Sequence, residues 1–170
     1  MLELSHMDIN HSAIENKALD VLDQFNITEP VVNAVEIAEK SGIGVKEARM
    51  PEKYSNVAGF YDKNDNVIYV NKEDPPTRKL FTVAHELGHI FLKHENFNVL
   101  FRITKKDTPE PSYPKEEREA NSFAAHLLMP DFMLREYLDK YNLTKNDYVQ
   151  MANIFGVPIS AMKPMLEYLD

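Results

Sequence analysis

The feature that most constrains this 170-residue sequence is an apolar stretch that encloses two histidines and a glutamate, His85-Glu86-Leu87-Gly88-His89. Apolar residues flank this segment on every side of a helix rather than along one stripe, which predicts a buried helix. Pro75-Pro76 suits the helix start, because a proline in the first turn loses no hydrogen bond. Lys93 and His94 suit its C-terminal end. The apolar flanking residues are Leu80, Phe81, Val83, Ala84, Ile90, Phe91 and Leu92.

Two histidines four residues apart on a helix project from one face, so both imidazoles can bind one metal ion. The pattern H-E-x-x-H is typical of zinc-dependent peptidases, in which the histidines are ligands and the glutamate is the general base. The pattern also arises by chance in roughly one of a few hundred chains of this length, and core histidines can be satisfied by hydrogen bonds. Burying several polar groups without partners is costly, so we favour a metal site on His85 and His89, with Glu86 beside it.

Composition limits the class of protein. Hydrophobic residues make up 44% and charged residues 27% of the chain, as in ordinary soluble globular domains. The chain has no cysteine, which excludes disulfides and thiolate ligands, so a metal would need histidine and carboxylate. The formal net charge of −8 argues against direct nucleic-acid binding, which favours basic surfaces.

The two ends of the chain and its hydropathy set further expectations. No apolar run is long enough to span a membrane, and the N-terminus lacks the basic start and apolar core of a signal peptide. We therefore expect a cytoplasmic protein. Residues 1–7 resemble a leader added in cloning, and His6 is not a ligand candidate. A single domain is expected over residues 8–170, of which residues 131–170 form a C-terminal helical part.

A small β-sheet is predicted directly before the histidine-containing helix. Residues 57–61 and 67–71 are rich in β-branched and aromatic residues and flank a polar turn, which predicts a hairpin. Residues 45–50 can add a short strand. An edge strand of such a sheet can receive an extended peptide by main-chain pairing; alternatively, the hairpin only covers the core.

Helices make up the rest of the predicted α+β fold. Residues 95–115 contain three prolines and little periodicity, which predicts a long loop, and we favour a lid to which Tyr113 could contribute. Residues 148–169 superficially resemble a helix-turn-helix. Residues 131–170 hold six acidic and four basic residues, however, so we interpret these helices as packing elements. Predicted helices cover residues 12–25, 31–40, 115–128, 131–141, 144–155 and 159–169.

A tetrahedral zinc needs a third protein ligand if water is to occupy the fourth position. On the acidic helix after the loop, at about 100° per residue, Glu117 points with the apolar residues and Glu119 points to the polar side. This comparison favours Glu117 over Glu119 without excluding Glu119. Asn121, one turn beyond Glu117, can orient a ligand or merely take part in local packing. The same angular reasoning predicts that His94 and His126 are surface histidines.

Taken together, these segments resemble the ImmA/IrrE metallopeptidases. The resemblance rests on the segment from Phe81 to His89, on the segment from Glu117 to Pro130, and on the hairpin between Ala58 and Asn71. It covers most of residues 12–170. The first segment alone is shared by many unrelated zinc peptidases, whereas the two segments at this spacing are more specific.

The resemblance implies a zincin-like fold with a zinc ion held by His85, His89 and Glu117, and with Glu86 as the catalytic base. Mn²⁺ or another divalent ion also suits such a ligand set. The implied substrate is a protein, a helix-turn-helix transcriptional repressor whose cleavage derepresses genes. The competing hypothesis is a non-catalytic partner of such a regulator, comparable to half of a toxin–antitoxin pair, in which the metal stabilises the fold.

Overall fold

The structure is a computed structural model that describes residues 9–95 and 114–170. Within these ranges the chain has the predicted α+β class, with seven α-helices and one three-stranded mixed sheet. Most of the predicted lid and Tyr113 lie outside the described residues, as does His6. The elements are α1 (His11–Gln24), α2 (Ala34–Lys40), β1 (Gly44–Ala48), β2 (Gly59–Asp62), β3 (Val67–Asn71), α3 (Pro76–Phe91), α4 (Lys115–Leu128), α5 (Asp131–Lys140), α6 (Tyr148–Phe155) and α7 (Ile159–Glu167).

Side-chain caps determine where the first helices begin. The Asn10 carboxamide oxygen accepts a hydrogen bond from the backbone N–H of Ala13 at 3.0 Å, so that α1 begins at His11. Asn33 caps α2 in the same way, at 3.1 Å from the N–H of Glu36. The prediction that this helix begins at residue 31 was therefore wrong by three residues, because an N-cap residue lies outside the helix that it caps.

The sheet has the strand order β1-β3-β2. Strands β2 and β3 form the predicted hairpin, with Gly59 opposite Val70, and β1 pairs parallel to β3. The central strand is buried on both faces, while β2 pairs on one side only within the described part of the chain. The sheet therefore presents β2 as an edge strand.

Strand β2 begins in close contact with helix α3. A Cβ atom on Gly59 would lie 2.4 Å from the backbone oxygen of Tyr69 and 2.6 Å from Cγ2 of Thr82. Contacts this short do not occur in real structures, so glycine is required for β2 to approach both β3 and α3. This approach fixes the edge strand next to the helix that carries the two histidines.

Helix α3 is buried over nine consecutive residues, from Phe81 to His89, which confirms the prediction of a core helix. It packs against the sheet, α2 and α4, and α4 packs against α1. At the crossing of α3 and α4, a Cβ atom on Gly88 would lie 3.0 Å from the backbone oxygen of Ala120. Gly88 thus allows the two helix backbones to approach closely. No helix in the described ranges is long and apolar enough to span a membrane.

Candidate metal centre

Three buried side chains from two helices meet at the crossing of α3 and α4. His85 and His89 are four residues apart on α3, and their Nε2 atoms lie 3.1 Å from each other. Glu117 on α4 places one carboxylate oxygen 3.0 Å from Nε2 of His85 and the other 3.1 Å from Nε2 of His89. None of the three residues is more than 5% exposed. The prediction that Glu117 lies on the buried face of its helix is confirmed.

The second ring nitrogen of each histidine also has a partner. Nδ1 of His85 lies 2.6 Å from the carboxamide oxygen of Asn121, one turn beyond Glu117 on α4. Nδ1 of His89 lies 2.9 Å from Nδ1 of His94. Each ring is therefore fixed by a contact at its Nδ1 atom, and its Nε2 atom is directed at the centre of the cluster.

The positions of the protons show why this cluster suits a cation. Because the Asn121 oxygen can only accept, His85 carries its proton on Nδ1, and a neutral His85 then presents a lone pair at Nε2. That lone pair faces a carboxylate oxygen of Glu117 at 3.0 Å. Two electron-rich atoms at this distance repel each other unless a positive charge lies between them. Either a second proton or a metal ion can supply that charge.

The pKa shifts of Glu117 and His89 indicate which protonation forms the cluster adopts. Burial by itself raises the pKa of the Glu117 carboxyl, but the hydrogen bonds and charges of His85 and His89 outweigh it and hold the pKa well below its usual range. Burial lowers the pKa of His89 by more than its hydrogen bond to Glu117 raises it. The lowered pKa of Glu117 favours its anionic form and the lowered pKa of His89 favours its neutral form, and these are the forms that bind metals.

The distances between the donor atoms also fit a metal. Tetrahedral zinc with bonds of about 2.0–2.1 Å separates its ligand atoms by about 3.3 Å. The Nε2 atoms of His85 and His89 lie 3.1 Å apart, and each lies 3.0–3.1 Å from one of the two carboxylate oxygens of Glu117, which is close to that separation. Two imidazoles and one carboxylate are the donor set of many catalytic zinc sites. The residues present therefore fit a divalent metal.

Glu86 lies next to the cluster on α3. Its side chain is 1% exposed, and its Oε2 atom has no hydrogen-bond partner within residues 9–95 and 114–170. A buried carboxylate oxygen without a partner is costly, and its position beside a cluster that fits a metal ion points to a chemical role. Such an oxygen is free to accept a proton from a reacting molecule.

Three of the sequence predictions for this region were wrong, namely those for His94, Glu119 and His126. His94 is 8% exposed rather than on the surface, and its Nε2 atom lies 2.8 Å from a carboxylate oxygen of Glu119. The side chain of Glu119 is only 19% exposed, so this residue does not form a solvated face. His126 lies half a turn around α4 from Glu117, but it is half-buried rather than on the surface.

The angular reasoning failed for His94 because it assumed a helix that continues past residue 91. Helix α3 ends at Phe91, and Lys93 adopts a left-handed conformation with φ of 59°. Glycine is the usual residue at this position of a helix end. A lysine there gives no sequence signal that the chain reverses, so the pairing of His94 with His89 could not be read from the sequence.

An α+β domain that buries an H-E-x-x-H helix against a glutamate of a second helix has the donor set of a metal-dependent hydrolase. Residues 38–167 match the model of a peptidase family described as the IrrE N-terminal-like domain, and the chain belongs to this family. The family is one of metallopeptidases, and membership in it implies a divalent metal.

Several curated proteins are similar to this chain. It is 36% identical over 107 residues to "Uncharacterized immunity region protein 2" of Bacillus phage phi105, in an alignment that covers 62% of this chain and 63% of the relative. It is 32% identical over 103 residues to "Radiation response metalloprotease IrrE" of Deinococcus radiodurans, covering 61% of this chain and 31% of the relative. "Metallopeptidase ImmA" of Bacillus subtilis is 31% identical over 98 residues, covering 58% and 54%. The chain thus spans less than two thirds of each relative's length.

A solved structure supports the fold. The chain matches a "Mycobacterium tuberculosis transcriptional regulator" with a TM-score of 0.62 and 15% sequence identity. The match covers 89% of this chain and 45% of the other one. At this level of identity the likeness concerns the fold alone.

Proposed function

We propose that this protein is a metal-dependent endopeptidase whose divalent cation is held by His85, His89 and Glu117. The observation that carries the proposal is the geometry of these three residues in the core. The two Nε2 atoms lie 3.1 Å apart, and each lies 3.0–3.1 Å from one of the two carboxylate oxygens of Glu117. The family membership supports it. Zn²⁺ is the favoured ion for this donor set, and Mn²⁺ is the alternative.

The chemistry is divided between the cation and Glu86. A bound divalent cation supplies Lewis acidity, which acidifies a water molecule and polarises the carbonyl of a peptide bond. Glu86 receives the proton of the attacking water at its Oε2 atom, which has no hydrogen-bond partner among the described residues, and then transfers it to the leaving amine. His85 and His89 are held in their orientations through Nδ1, so the protein has little reorganisation to perform during the reaction.

The edge strand β2 is the proposed docking site for the peptide. In the described part of the chain it hydrogen-bonds to β3 on one side, which leaves main-chain groups on the other side available for pairing. Gly59 allows the start of β2 to lie against Thr82 of α3. Thr82 lies one turn before Glu86 on this helix. A peptide added to this edge would run beside the proposed metal centre.

A helix-turn-helix repressor is the proposed substrate. The similarity to an immunity region protein of a phage supports a regulatory role, as does the similarity to a radiation response metalloprotease. The net charge of −8 attracts basic proteins, and DNA-binding domains are commonly basic. Cleavage would remove the repressor and derepress its genes within the cytoplasm.

The burial of the cluster favours one competing function. His85 and His89 are 1% and 0% exposed, as ligands of a structural metal often are. In that case the protein would bind a regulator without cleaving it, in the manner of a toxin–antitoxin pair, and the metal would stabilise the fold. Glu86 distinguishes the two functions, because a structural metal site does not need a general base.

Metal content comes first in the experimental test. Native mass spectrometry of the zinc-reconstituted protein should find about one ion per chain, and Glu117→Ala should lose or weaken this binding. A parent protein that binds no metal specifically would refute the proposal. Glu116→Ala is the matched control, because Glu116 is a neighbouring carboxylate of α4 outside the cluster, and it should bind metal as the parent does.

Cleavage is the second step of the test. The zinc-loaded protein is incubated with the purified helix-turn-helix regulator encoded nearest to its gene, and fragments are identified by mass spectrometry. Glu86→Gln should reduce the cleavage rate by about 10²- to 10⁴-fold, because the amide cannot accept the proton. The same variant should retain its metal and its binding to the regulator. Cleavage by Glu86→Gln at the parent rate would refute the role of Glu86.

A further inference from the structure

Beyond the end of α3 lies a second polar cluster, formed by His94 and Glu119, which the proposed mechanism does not use. The backbone N–H of His94 donates to the carbonyl oxygen of His89 at 3.0 Å, and that of Lys93 donates to the carbonyl of Ile90 at 3.2 Å. With Lys93 in the left-handed conformation, these two bonds form a Schellman motif. The motif turns the chain back on itself and places the imidazole of His94 behind that of His89.

The contacts of His94 form a continuous chain from a carboxylate to the metal cluster. A carboxylate oxygen of Glu119 lies 2.8 Å from Nε2 of His94. Nδ1 of His94 lies 2.9 Å from Nδ1 of His89. The opposite nitrogen of His89, Nε2, is the atom that faces His85 and Glu117.

When Glu119 is ionised and the rings of His94 and His89 are both neutral, one arrangement of protons satisfies both contacts of His94. The carboxylate of Glu119 can only accept, so His94 carries a proton on Nε2. A neutral His94 then presents a lone pair at Nδ1, which accepts the Nδ1–H of His89. His89 is thereby fixed in the tautomer whose Nε2 lone pair points at the centre of the cluster.

We propose that His94 is a positioning residue for the metal centre: it accepts the Nδ1–H of His89, is itself oriented by Glu119, and so holds His89 in its metal-binding tautomer and ring orientation. This inference rests on the proposed metal-binding role of His89. Asn121 has the corresponding place behind His85, at 2.6 Å from its Nδ1. The two proposed ligands of α3 are thus supported in different ways, His85 by an amide and His89 by an imidazole linked to a carboxylate.

Two further observations support a positioning role rather than direct ligation. Both ring nitrogens of His94 are engaged, one by His89 and one by Glu119, so neither is available to a metal in this arrangement. Within the described residues, the group whose donor atoms can share an ion here consists of His85, His89 and Glu117, and it does not include His94.

Substitutions at position 94 separate the hydrogen bond from the bulk of the ring. His94→Ala removes the acceptor and should weaken zinc binding by about 10- to 100-fold, the range typical of partners that orient metal ligands. His94→Asn should restore most of the affinity, because an asparagine oxygen occupies the same position along the side chain as Nδ1. Zinc affinity is measured by competition with a chromophoric chelator, and thermal melts of the metal-free variants monitor folding.

A matched pair of glutamate substitutions tests the other end of the chain of contacts. Glu119→Ala leaves the Nε2–H of His94 without its acceptor and should weaken zinc binding in the same direction, by less than His94→Ala does. Glu116→Ala removes a carboxylate from the same helix and should leave the zinc affinity at the parent value. Equal effects of the two substitutions would overturn the assignment of Glu119.

Nuclear magnetic resonance of the zinc-loaded parent protein tests the tautomers directly. In ¹⁵N-histidine correlation spectra, we expect Nε2 of His94 and Nδ1 of His89 to carry protons and Nδ1 of His94 to carry none. A scalar coupling across the N–H···N hydrogen bond between His89 and His94 would support the inference. A proton on Nδ1 of His94 would overturn it, whatever the affinities of the variants.

The outcomes distinguish this inference from the proposed function. A parent protein that binds zinc, combined with a His94→Ala variant of equal affinity, would overturn the role of His94 and leave the metal site intact. A parent protein that binds no metal would overturn both. Weaker binding by His94→Ala that His94→Asn fails to restore would show that the ring fills space, and it would also overturn the inference.

Discussion

Replacing Gly88 with alanine tests whether the crossing of α3 and α4 sets the distances within the cluster. A Cβ atom at this position would lie 3.0 Å from the backbone oxygen of Ala120, 3.1 Å from its Cα and 3.2 Å from Cβ of Phe123. The first two contacts are with the backbone of α4, so this helix would have to move by a few tenths of an ångström. Glu117 lies one turn before Ala120, and its carboxylate would move with the helix.

Two opposing effects determine the stability of Gly88→Ala. Forcing a methyl group into a packed interface costs about 1–3 kcal/mol, and alanine gains about 1 kcal/mol over glycine within a helix. We expect a net destabilisation of about 1 kcal/mol, which lowers the melting temperature by about 2–4 °C in a chain of this size. The displacement of Glu117 should weaken zinc binding by about 10-fold, as other small misplacements of metal ligands do.

Gly42→Ala is the control for this experiment. Gly42 has a positive φ of 81°, and a Cβ atom there would meet nothing within 4 Å. The substitution should cost about 1–2 kcal/mol through backbone strain while leaving the α3–α4 crossing unchanged. Chelator competition should therefore find parent-like zinc affinity in Gly42→Ala and weaker binding in Gly88→Ala. Parent-like affinity in Gly88→Ala would refute the idea that this crossing sets the ligand distances.

Three further predictions concern the sheet, the acid stability and the support of the first histidine. Gly59→Ala should destabilise the protein by about 3 kcal/mol or more, because the new atom would lie 2.4 Å from the backbone oxygen of Tyr69; urea denaturation with an unchanged midpoint would contradict this. The metal-free protein should lose stability on acidification, because the folded-state pKa of His89 is lowered from about 6.5 and that of Glu117 from about 4.5. Both groups favour folding above their unfolded pKa values, so the loss begins below about pH 6.5 and steepens below about pH 4.5; denaturation midpoints that stay constant from pH 7 to pH 4 would refute it. Asn121→Ala should weaken zinc binding by about 10-fold, and chelator competition with no change would show that this amide serves only packing.

Local sequence was sufficient for the parts of the site that lie within one helix. The spacing of His85 and His89 by four residues places both rings on one face of any α-helix, and the apolar flanks indicated that this helix is buried. The same periodicity placed Glu117 on the inner face of α4. Neither conclusion needed knowledge of how the helices pack, because helical geometry relates residues a few positions apart.

The tertiary structure decided which of these faces meet and how closely. Gly88 sets the approach of α3 to α4, and this approach brings Glu117 within 3.1 Å of both histidines. The place of His94 depended on the helix ending at Phe91 and on a left-handed Lys93. Periodicity carries no information beyond the end of a helix, because the next residue can take any direction that the backbone allows. The buried face that carries the proposed metal ligands could therefore be predicted from the sequence, whereas the fold determined which residues hold that face in place.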